Sequence, residues 1–408
     1  MASVVFLHPD LGIGGAERLV VDAALALQKK GQYVHFITSH HDPGHCFTET
    51  RDGTIPVTVV GDWLPRNIFG RFYALCAYIR MIYAALYIAL FSDLKPDIIF
   101  CDLVSVCVPI LKLRGYKVIF YCHFPDQLLS QPGSRLKALY RVPLNWMEEI
   151  TTGKADKILV NSNFTSSVFK ATFKRLCVTP DVLYPSINTA FFDQTKPLPF
   201  TEVLQISSSD PFIFLSINRY ERKKNLELAL EALKELQSLL DDAEWKRVYL
   251  VIVGGYDTRV VENVDYCEEL KDHADKLGIA DKMTFMKSPS DIMKCSLLSY
   301  AHCLLYTPEN EHFGIVPLEA MYARKPVIAV NSGGPKESIL NNVTGFLCEN
   351  TSKAFALAMQ KCVENRGLCK KLGEAGRKRV EDKFSFTAFS DELADIVDNL
   401  LKEKKKDS

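Results

Sequence analysis

Short hydrophobic runs alternate with helical patterns through both halves of the chain. The runs are rich in β-branched and other apolar residues and are bounded by polar or glycine positions, which is typical of buried strands. They cover residues 4–7, 33–38, 96–101, 117–122 and 157–162 in the first half, and 212–217, 248–255, 283–286, 303–307 and 326–330 in the second. This alternation predicts an α/β architecture of parallel, doubly wound sheets.

Two helical segments show the clearest amphipathic spacing. The first covers residues 16–31, ends at Gly31, and has one apolar face, formed by Leu19, Val20, Ala23, Ala24 and Leu27. The second follows the run at 212–217, with Asn225 as its expected N-cap. Its apolar stripe is formed by Leu226, Leu230, Leu233 and Leu240.

The length of the chain and one segment without periodicity predict two domains. A chain of 408 residues exceeds a single typical domain, and the proline- and serine-containing segment around 190–210 is typical of a linker. We predict Rossmann-like domains at residues 1–200 and 205–380, and a C-terminal helix with a basic tail at 381–408. Doubly wound sheets bind ligands at the carboxyl ends of their strands, so a ligand cleft is expected between the domains.

Composition narrows the class of protein further. Apolar residues make up 48% and charged residues 24%, as in ordinary globular proteins. Lysine plus arginine equals aspartate plus glutamate, at 49 each, so the net charge predicts no nucleic-acid partner. The twelve cysteines include no C-x-x-C zinc pattern, and many lie in apolar runs. We expect buried, reduced thiols in a cytosolic compartment, and the amino terminus shows no signal-peptide pattern.

A glycine-rich turn lies between the first strand and the first helix. The stretch "HPDLGIGGAERLV" contains Gly12, Gly14 and Gly15 but no complete G-x-G-x-x-G, and no acidic residue ends the second strand. A nicotinamide-cofactor site is therefore disfavoured. The pattern predicts a tight turn facing a cleft, where a helix N-terminus attracts anionic groups.

A basic segment follows the first strand of the second domain. The stretch "LSINRYERKKN" contains Arg219, Arg222, Lys223 and Lys224. A solvated basic loop is one interpretation. Its position at the carboxyl end of a strand favours a second one, a phosphate clamp, because arginine offers a planar fork of donors and lysine a mobile point charge.

Two glutamates, Glu311 and Glu319, occur eight residues apart in "NEHFGIVPLEAMY". Eight helical residues would separate them by about 12 Å, whereas paired glycosidase carboxylates lie about 5 to 9.5 Å apart. A nucleotide sugar fits better than a hydrolytic pair. Gly314 would open a helix whose first amides, at Ile315 and Val316, bind a phosphate, and Glu319 would accept the two hydroxyls of a ribose.

Two histidine-containing stretches carry weaker signals. His123 follows a buried strand and is, by itself, typical of a packed histidine. Residues 39–46, "SHHDPGHC", have the composition of a metal cluster, but Asp42-Pro43-Gly44 predicts a turn. The sequence also has no aspartate-x-aspartate pair, so we expect no metal.

The chain resembles the retaining GT-B glycosyltransferases that carry an E-x7-E motif. That motif is read in "EHFGIVPLE", and "GIGGAE", "NRYERKKN", "AVNSGGPKESI" and "VTGFLCE" match in the family's order over nearly the whole chain. The shorter stretches "DPGHCF", "GDWLPR" and "YCHFPD" are similar to the mannosyltransferases of dolichol-linked oligosaccharide assembly. The resemblance implies a GT-B fold, in which two Rossmann-like domains face a cleft.

The resemblance also implies a reaction. Mannose would pass from GDP-mannose to a dolichol-pyrophosphate carrying two N-acetylglucosamines and one mannose, as an α-1,3 and then an α-1,6 addition with retention. Neither a cofactor nor a metal would be obligatory. Other mannosyltransferases of the pathway are further expected partners.

Site residues are implied by the same motifs. Arg219 and Lys224 would hold the donor diphosphate and stabilise it as leaving group, while the helix start at 314–316 adds amides. Glu319 would hold the ribose and Glu311 the donor sugar.

In the first domain, His123 would contact the donor sugar, and Gly14–Gly15 would let the acceptor or diphosphate come close. Many relatives follow the histidine directly with aspartate. Here the sequence reads "HFPD", so no role is implied for Asp126.

One segment indicates a membrane surface. Residues 72–91 carry a single charge, Arg80, and are long enough to span a bilayer. The strands on either side belong to one predicted sheet, which favours a buried or interfacial helix, with Arg80 reaching toward headgroups. The tail "KEKKKDS" has the pattern of a dilysine retrieval signal or of a frayed charged end. Together these features predict the cytosolic face of the endoplasmic reticulum.

Two alternatives remain open. A UDP-sugar-dependent transferase or epimerase would keep the fold and change the substrate. A non-catalytic membrane scaffold with a vestigial donor site would have lost polar cleft residues, yet Arg219, Lys224, Glu311 and Glu319 are all present.

Overall fold

The computed structural model describes residues 2–130, 135–206 and 208–407, with side chains described up to residue 404. Within these ranges the strands are β1 Ser3–His8, β2 Tyr33–Thr38, β3 Val57–Val59, β4 Ile98–Asp102, β5 Lys117–Cys122, β6 Lys157–Val160, β7 Asp181–Val182, β8 Phe212–Ile217, β9 Val248–Gly254, β10 Met283–Lys287, β11 Cys303–Tyr306, β12 Val327–Val330 and β13 Gly345–Cys348. The α-helices are α1 Gly15–Lys29, α2 Thr48–Arg51, α3 Tyr73–Leu90, α4 Val108–Leu113, α5 Asp126–Leu129, α6 Arg135–Thr152, α7 Asn163–Thr172, α8 Thr189–Gln194, α9 Phe200–Val203, α10 Glu227–Gln237, α11 Asp242–Arg247, α12 Val261–Leu277, α13 Asp291–Tyr300, α14 Ile315–Tyr322, α15 Pro335–Ser338, α16 Ser352–Glu364, α17 Arg366–Lys383 and α18 Phe386–Asp407.

The chain divides into two compact units, each built on a parallel sheet. Unit 1 comprises Met1–Ser186 and Phe386–Ser408, and unit 2 comprises Ile187–Ser385. Among the described residues, unit 1 has the strand order β3-β2-β1-β4-β5-β6-β7 and unit 2 the order β10-β9-β8-β11-β12-β13. Both sheets are doubly wound, which confirms the predicted pair of Rossmann-like domains.

Every predicted strand is present, and three further strands were not predicted. β3 and β7 are edge strands of only three and two residues, too short to leave a hydrophobic run. β13 pairs with β12 at the edge of the other sheet. Its sequence, "GFLC", begins with a glycine and offers little β-branched signal.

The boundary between the two units lies at a different position from the predicted one. The division was expected at residues 200–205, but unit 2 begins at Ile187, and the segment around 190–210 forms α8 and α9 within it. The Ile187 N–H donates to the Phe384 carbonyl at 3.4 Å, so the incoming and outgoing chains run side by side. The C-terminal helix α18 returns to unit 1 and packs in one core with α1. The side chains of the two lysines of the proposed dilysine pattern lie outside the described residues.

Alternating side chains of the unit 1 sheet enter two separate cores. On β1, Val4 and Phe6 pack with α1 and α18 on one face, whereas Val5 and Leu7 pack with α3 and α4 on the other. This is the period-2 pattern of a strand buried on both faces. Eleven of the twelve cysteines are buried and only Cys177 is exposed, which agrees with the predicted packing of these thiols.

Among the described residues, α3 is the one helix long and apolar enough to cross a membrane, with a mean hydropathy of 1.6. β1 pairs with β2, which precedes α3, and with β4, which follows it, so one sheet includes strands from both sides of the helix. The face of α3 that carries Met81 and Ile88 is buried in the unit 1 core.

The prediction that Arg80 reaches toward headgroups is wrong. The residue is only 7% exposed, and its guanidinium donates to the Ser39 carbonyl at 2.5 Å and to the Asp62 carboxylate at 3.2 Å. These acceptors lie in the loops that follow β2 and β3, so the guanidinium is hydrogen-bonded inside unit 1. Hydrogen bonds from a buried guanidinium offset its lost hydration.

The helix after β8 begins later than predicted. Residues Arg222–Lys224 form a 3-10 turn, and Asn225 closes it in the left-handed region with φ of 50°, so Asn225 is not an N-cap. Asparagine tolerates this region better than most residues. Leu226, Leu230 and Leu233 are buried as expected, but Leu240 lies beyond the end of α10 and is only partly buried.

Two glycines of α17 allow this helix to pack closely against α14. A Cβ atom added at Gly373 would lie 2.0 Å from the Arg324 carbonyl oxygen, and one at Gly376 would lie 3.2 Å from the Met321 side chain. The Arg324 contact is with backbone, so it cannot be relieved by a rotamer change.

Gly373→Ala should therefore destabilise unit 2 by about 1–3 kcal/mol through overpacking. The matched control is Gly367→Ala in the same helix, where the added Cβ faces only the Asn365 side chain at 3.2 Å. Calorimetric unfolding of both variants tests this. If Gly373→Ala melted at the same temperature as Gly367→Ala, the close contact at Gly373 would not be needed for the stability of unit 2.

A buried carboxyl joins α5 to α6. Glu148 of α6 is 6% exposed, and its oxygens accept the N–H groups of Asp126 and Gln127 at 2.7 and 3.2 Å. Burial is the main cause that raises the pKa of Glu148 to about 7, with the nearby Asp126 charge adding to it. The Asp126 side chain pairs with Arg141 at 2.8 Å, which gives it a structural role.

The folded-state pKa of Glu148 exceeds its ordinary value of 4.5. At a pH between these two values the side chain is protonated in the folded protein and ionised in the unfolded chain, so unfolding releases a proton. The stabilisation is complete below pH 4.5 and is lost as the pH rises through about 7. Between pH 5 and 6.5 the free energy of unfolding should fall by up to about 1.4 kcal/mol per pH unit. Glu148→Gln should flatten that slope in urea titrations. An unchanged slope would assign the pH dependence to another group.

Candidate active site

The basic loop of unit 2 starts where β8 ends. Asn218 and Arg219 pass so close to β9 that a Cβ at Gly254 would lie 1.7 Å from the Asn218 carbonyl oxygen. The glycine therefore fixes where the loop leaves the sheet. The Arg219 side chain is 70% exposed, and its contact with Glu221 is long, at 3.4 Å. Its guanidinium is thus available to an incoming anion.

Lys224 and Glu311 form a direct ion pair. The Lys224 Nζ lies 2.5 Å from a Glu311 carboxylate oxygen, with the side chains 16% and 23% exposed. The backbone on the lysine side is fixed as well, since the Thr307 hydroxyl after β11 donates to the Lys224 carbonyl at 2.7 Å. Two residues that are 87 positions apart in the chain therefore share one partly buried site.

The "SGGP" turn supports the loop that carries Glu311. Gly334 N–H donates to the Glu311 carbonyl at 2.8 Å. A Cβ at Gly333, which has φ of 60°, would lie 2.5 Å from that carbonyl, and one at Gly334 would lie 2.3 Å from the Phe313 Cα. Only glycine allows the two backbones to approach in this way.

Gly314 places a helix start beside the ion pair. With φ of 86° it turns the chain into α14, whose first residues are Ile315 and Val316. The N–H groups of these two residues have no intrahelical acceptor, and Pro317 contributes no N–H. A helix start of this kind favours an anion, and the phosphate contact expected at these amides stays a prediction.

Glu319 lies on the first turns of α14 and is only 8% exposed. One carboxylate oxygen accepts from the Lys294 Nζ at 2.7 Å, and the other is buried with no partner among the described residues. Burial alone would lower the pKa of Lys294, but the Glu319 charge outweighs it and raises that pKa. An oriented carboxylate with one vacant oxygen is suited to accept from a ligand hydroxyl.

In unit 1, the glycine turn leads directly into α1. Gly14 is the N-cap, in an extended conformation, and Gly15 opens the helix. A Cβ at Gly14 would lie 2.3 Å from a carboxylate oxygen of Glu17, which folds back over the turn. At Gly15 an added Cβ would meet nothing within 4 Å, so the backbone is open to a ligand there.

His123 belongs to a buried network that extends across three strands. Its Nε2 lies 2.8 Å from Asp102 Oδ2, and the other oxygen of Asp102 lies 2.6 Å from His8 Nδ1. Asp102 and His8 are 0% and 1% exposed. The side chain of Glu17 approaches His8 Nε2 at 3.9 Å, outside hydrogen-bond range.

The structure thus brings the predicted residues into two groups. In unit 2, Lys224 and Glu311 touch, and Glu319 shares α14 with the predicted amides. Within the described residues, no group of three or more histidine, cysteine, aspartate or glutamate side chains could hold a metal ion.

Four residues of these groups escaped the sequence analysis: His8, Glu17, Asp102 and Lys294. His8 and Asp102 each end a buried strand, and a polar residue at that place is a usable signal. Lys294 lies on α13, where the sequence gives no sign of a partner 25 residues away.

Comparisons with known proteins match both units. The family model "Glycosyl transferases group 1" matches residues 203–379, and "Glycosyltransferase Family 4" matches residues 13–191. The α-1,3/1,6-mannosyltransferase of Homo sapiens is 54% identical over 98% of this chain and 96% of its own length. That of Dictyostelium discoideum is 48% identical over 98% of both chains.

Solved structures agree on the fold. A glycosyltransferase from Rickettsia africae ESF-5 superposes with a TM-score of 0.74 at 21% identity and covers 100% of both chains. Sucrose-phosphate synthase from Thermosynechococcus elongatus gives 0.73 at 18% identity, over 99% of this chain and 100% of that one. At these identities the likeness concerns architecture, here the GT-B arrangement of two Rossmann-like domains.

The identity to these relatives, the length over which they match and the two family models together show the family of this chain. The chain belongs to the family of α-1,3/1,6-mannosyltransferases, and it is an enzyme of the glycosyltransferase class.

Proposed function

We propose that this glycosyltransferase moves mannose from GDP-mannose to a dolichol-pyrophosphate that carries two N-acetylglucosamines and one mannose. It adds an α-1,3 and then an α-1,6 mannose in N-glycan precursor synthesis, with retention of configuration. The names of the matched relatives support both linkages. The observation that carries the donor assignment is the Lys224–Glu311 pair beside the start of α14, with Glu319 holding a vacant oxygen close by.

The donor diphosphate takes the positive groups of unit 2. Lys224 and the exposed Arg219 supply full charges, and the amides of Ile315 and Val316 supply the partial charge of a helix N-terminus. The leaving diphosphate gains negative charge as the sugar bond breaks, so these groups stabilise the transition state more than the ground state. Arg219 and Lys224 thereby supply positive charge at the leaving group without a metal ion.

The uncharged parts of the donor take the carboxylates. The vacant oxygen of Glu319 accepts from the ribose hydroxyls, and Lys294 keeps that carboxylate in place. When the diphosphate engages Lys224, Glu311 is released from part of its ion pair and becomes an acceptor for mannose hydroxyls. His123 contacts the sugar, and the acceptor attacks from the same face while the leaving phosphate takes its proton.

The lipid acceptor implies a membrane surface, and unit 1 supplies apolar area for it. Large apolar side chains of α6 are exposed, including Leu136, Leu139 and Trp146 at 79%, 71% and 52%. A cavity of about 650 Å³ lies between the starts of α3 and α6, with cationic lining from Arg71 and Lys137. Apolar side chains interspersed with cations suit a bilayer that contains anionic headgroups. We place the enzyme on the cytosolic face of the endoplasmic reticulum.

Product analysis by mass spectrometry tests donor, acceptor and double transfer together. Purified protein given GDP-mannose and the lipid-linked one-mannose acceptor should add two hexoses. Parallel reactions with UDP-glucose and UDP-N-acetylglucosamine should give no product. Transfer from a UDP-sugar alone would overturn the donor assignment, and a single addition from GDP-mannose would narrow the reaction to one linkage.

Lys224→Ala should lower kcat by about a hundredfold or more, because it removes a positive group that faces the developing charge. Glu311→Ala should cause a comparable loss. The matched control is Lys223→Ala: the adjacent lysine is 71% exposed and forms a surface ion pair with Glu221, so its loss should leave kcat within about twofold. Steady-state kinetics measures kcat of the three variants, and equal melting temperatures show that a loss of kcat does not come from unfolding. Wild-type activity in either Ala variant at 224 or 311 removes that residue from the mechanism.

A further inference from the structure

Three neighbouring strands of unit 1 end in one chain of ionisable side chains. β1, β4 and β5 are adjacent in the sheet, and their carboxyl ends carry His8, Asp102 and, one residue after β5, His123. Asp102 bonds both imidazoles, at 2.6 Å to His8 Nδ1 and 2.8 Å to His123 Nε2. Its carboxylate is fully buried, whereas the His123 side chain retains 18% exposure.

The charges of this network determine which ring nitrogens carry hydrogen. Burial would raise the pKa of Asp102, but the two histidines outweigh it and lower that pKa. Burial would likewise lower the pKa of His8, and the Asp102 charge raises it to about 10. An ionised carboxylate only accepts hydrogen bonds. Asp102 therefore receives N–H from Nε2 of His123, and Nδ1 of His123 is the nitrogen left over.

Two further contacts involve His123, one to its backbone and one to its ring, and neither is a hydrogen bond to a ring nitrogen. The Asn161 amide donates to the His123 carbonyl at 3.1 Å, and the Tyr121 ring lies 4.8 Å from the imidazole. Among the described residues, Nδ1 of His123 has no hydrogen-bond partner.

We propose that Asp102 is a positioning residue for His123: it holds the imidazole as the Nε2–H tautomer and so makes Nδ1 the atom that accepts a hydroxyl of the transferred sugar. The buried His8 cation keeps Asp102 ionised for this purpose. The proposal rests on the proposed contact between His123 and the sugar, and it adds which nitrogen makes that contact and what orients it.

The kinetic test is a double-mutant cycle. Asp102→Asn should lower kcat by on the order of tenfold to a hundredfold, as when carboxylates that orient imidazole ligands are removed. The affinity for GDP, which lacks the sugar, should not change in a calorimetric titration. In a His123→Ala background the same Asp102→Asn change should have no further effect on kcat, because there is no ring left to orient. An equal loss in both backgrounds would overturn the proposal.

The matched control is Asp156→Asn. Asp156 also forms an ion pair in unit 1, with Lys112 at 2.6 Å. It precedes β6 and therefore lies at the amino-terminal ends of the strands, whereas Asp102 lies at their carboxyl ends. Its substitution should lower the melting temperature while kcat of the folded protein stays at the wild-type value. A loss of kcat in this variant equal to that in Asp102→Asn would reduce the Asp102 effect to stability.

Nitrogen-15 NMR of histidine-labelled enzyme tests the tautomer without any turnover. His123 should show hydrogen on Nε2 in the wild type and a mixture of tautomers in Asp102→Asn. Hydrogen on Nδ1 in the wild type would overturn the proposal, whatever the activity. Failure of GDP-mannose to serve as donor would instead overturn the proposed function and leave the tautomer result standing.

Discussion

Parallel pairing of strands is the constraint on which both groups of candidate site residues depend. Strands that run in the same direction end at the same edge of a sheet, so residues far apart in sequence are delivered to one place. In unit 1 this unites His8, Asp102 and His123. In unit 2 the loops after β8 and β11 deliver Lys224 and Glu311. Close backbone contacts then fix the paths of the two loops: Gly254 packs against Asn218 in the first loop, and Gly333 packs against Glu311 in the second.

Paired charge is the second common feature. Three carboxylates near proposed ligand positions have a close cationic partner: Asp102 has His8, Glu311 has Lys224, and Glu319 has Lys294. A buried carboxylate without such a partner would become protonated or destabilise the fold. Burial alone would raise the pKa of the Asp102 carboxyl, but the neighbouring histidines lower it and so keep this acceptor ionised.

The apolar helix α3 shows why hydropathy has to be interpreted together with topology. Its composition alone would permit a membrane span. Because β1 hydrogen-bonds to strands on both sides of it in sequence, the helix instead covers one face of a sheet. The sequence suggested that Arg80 reaches the headgroup region, yet its Nη2 donates to the Ser39 carbonyl and the Asp62 carboxylate inside unit 1. A membrane contact made by α3 would therefore use the exposed side of this helix.

Local patterns determined the element types and most strand positions, because burial imposes a periodicity. They also pointed to the residues of the proposed donor site, because strand ends and glycines are common ligand positions. They did not determine β3 and β7, whose few residues pair only because a longer neighbour is already in place. The N-cap assigned to Asn225 failed because a 3-10 turn competed locally for that residue. The partners of His123 and Glu319 were beyond sequence reasoning as well. Only the folded sheets bring Asp102 within 2.8 Å of His123 and Lys294 within 2.7 Å of Glu319, because these contacts depend on strand order and helix packing rather than on spacing along the chain.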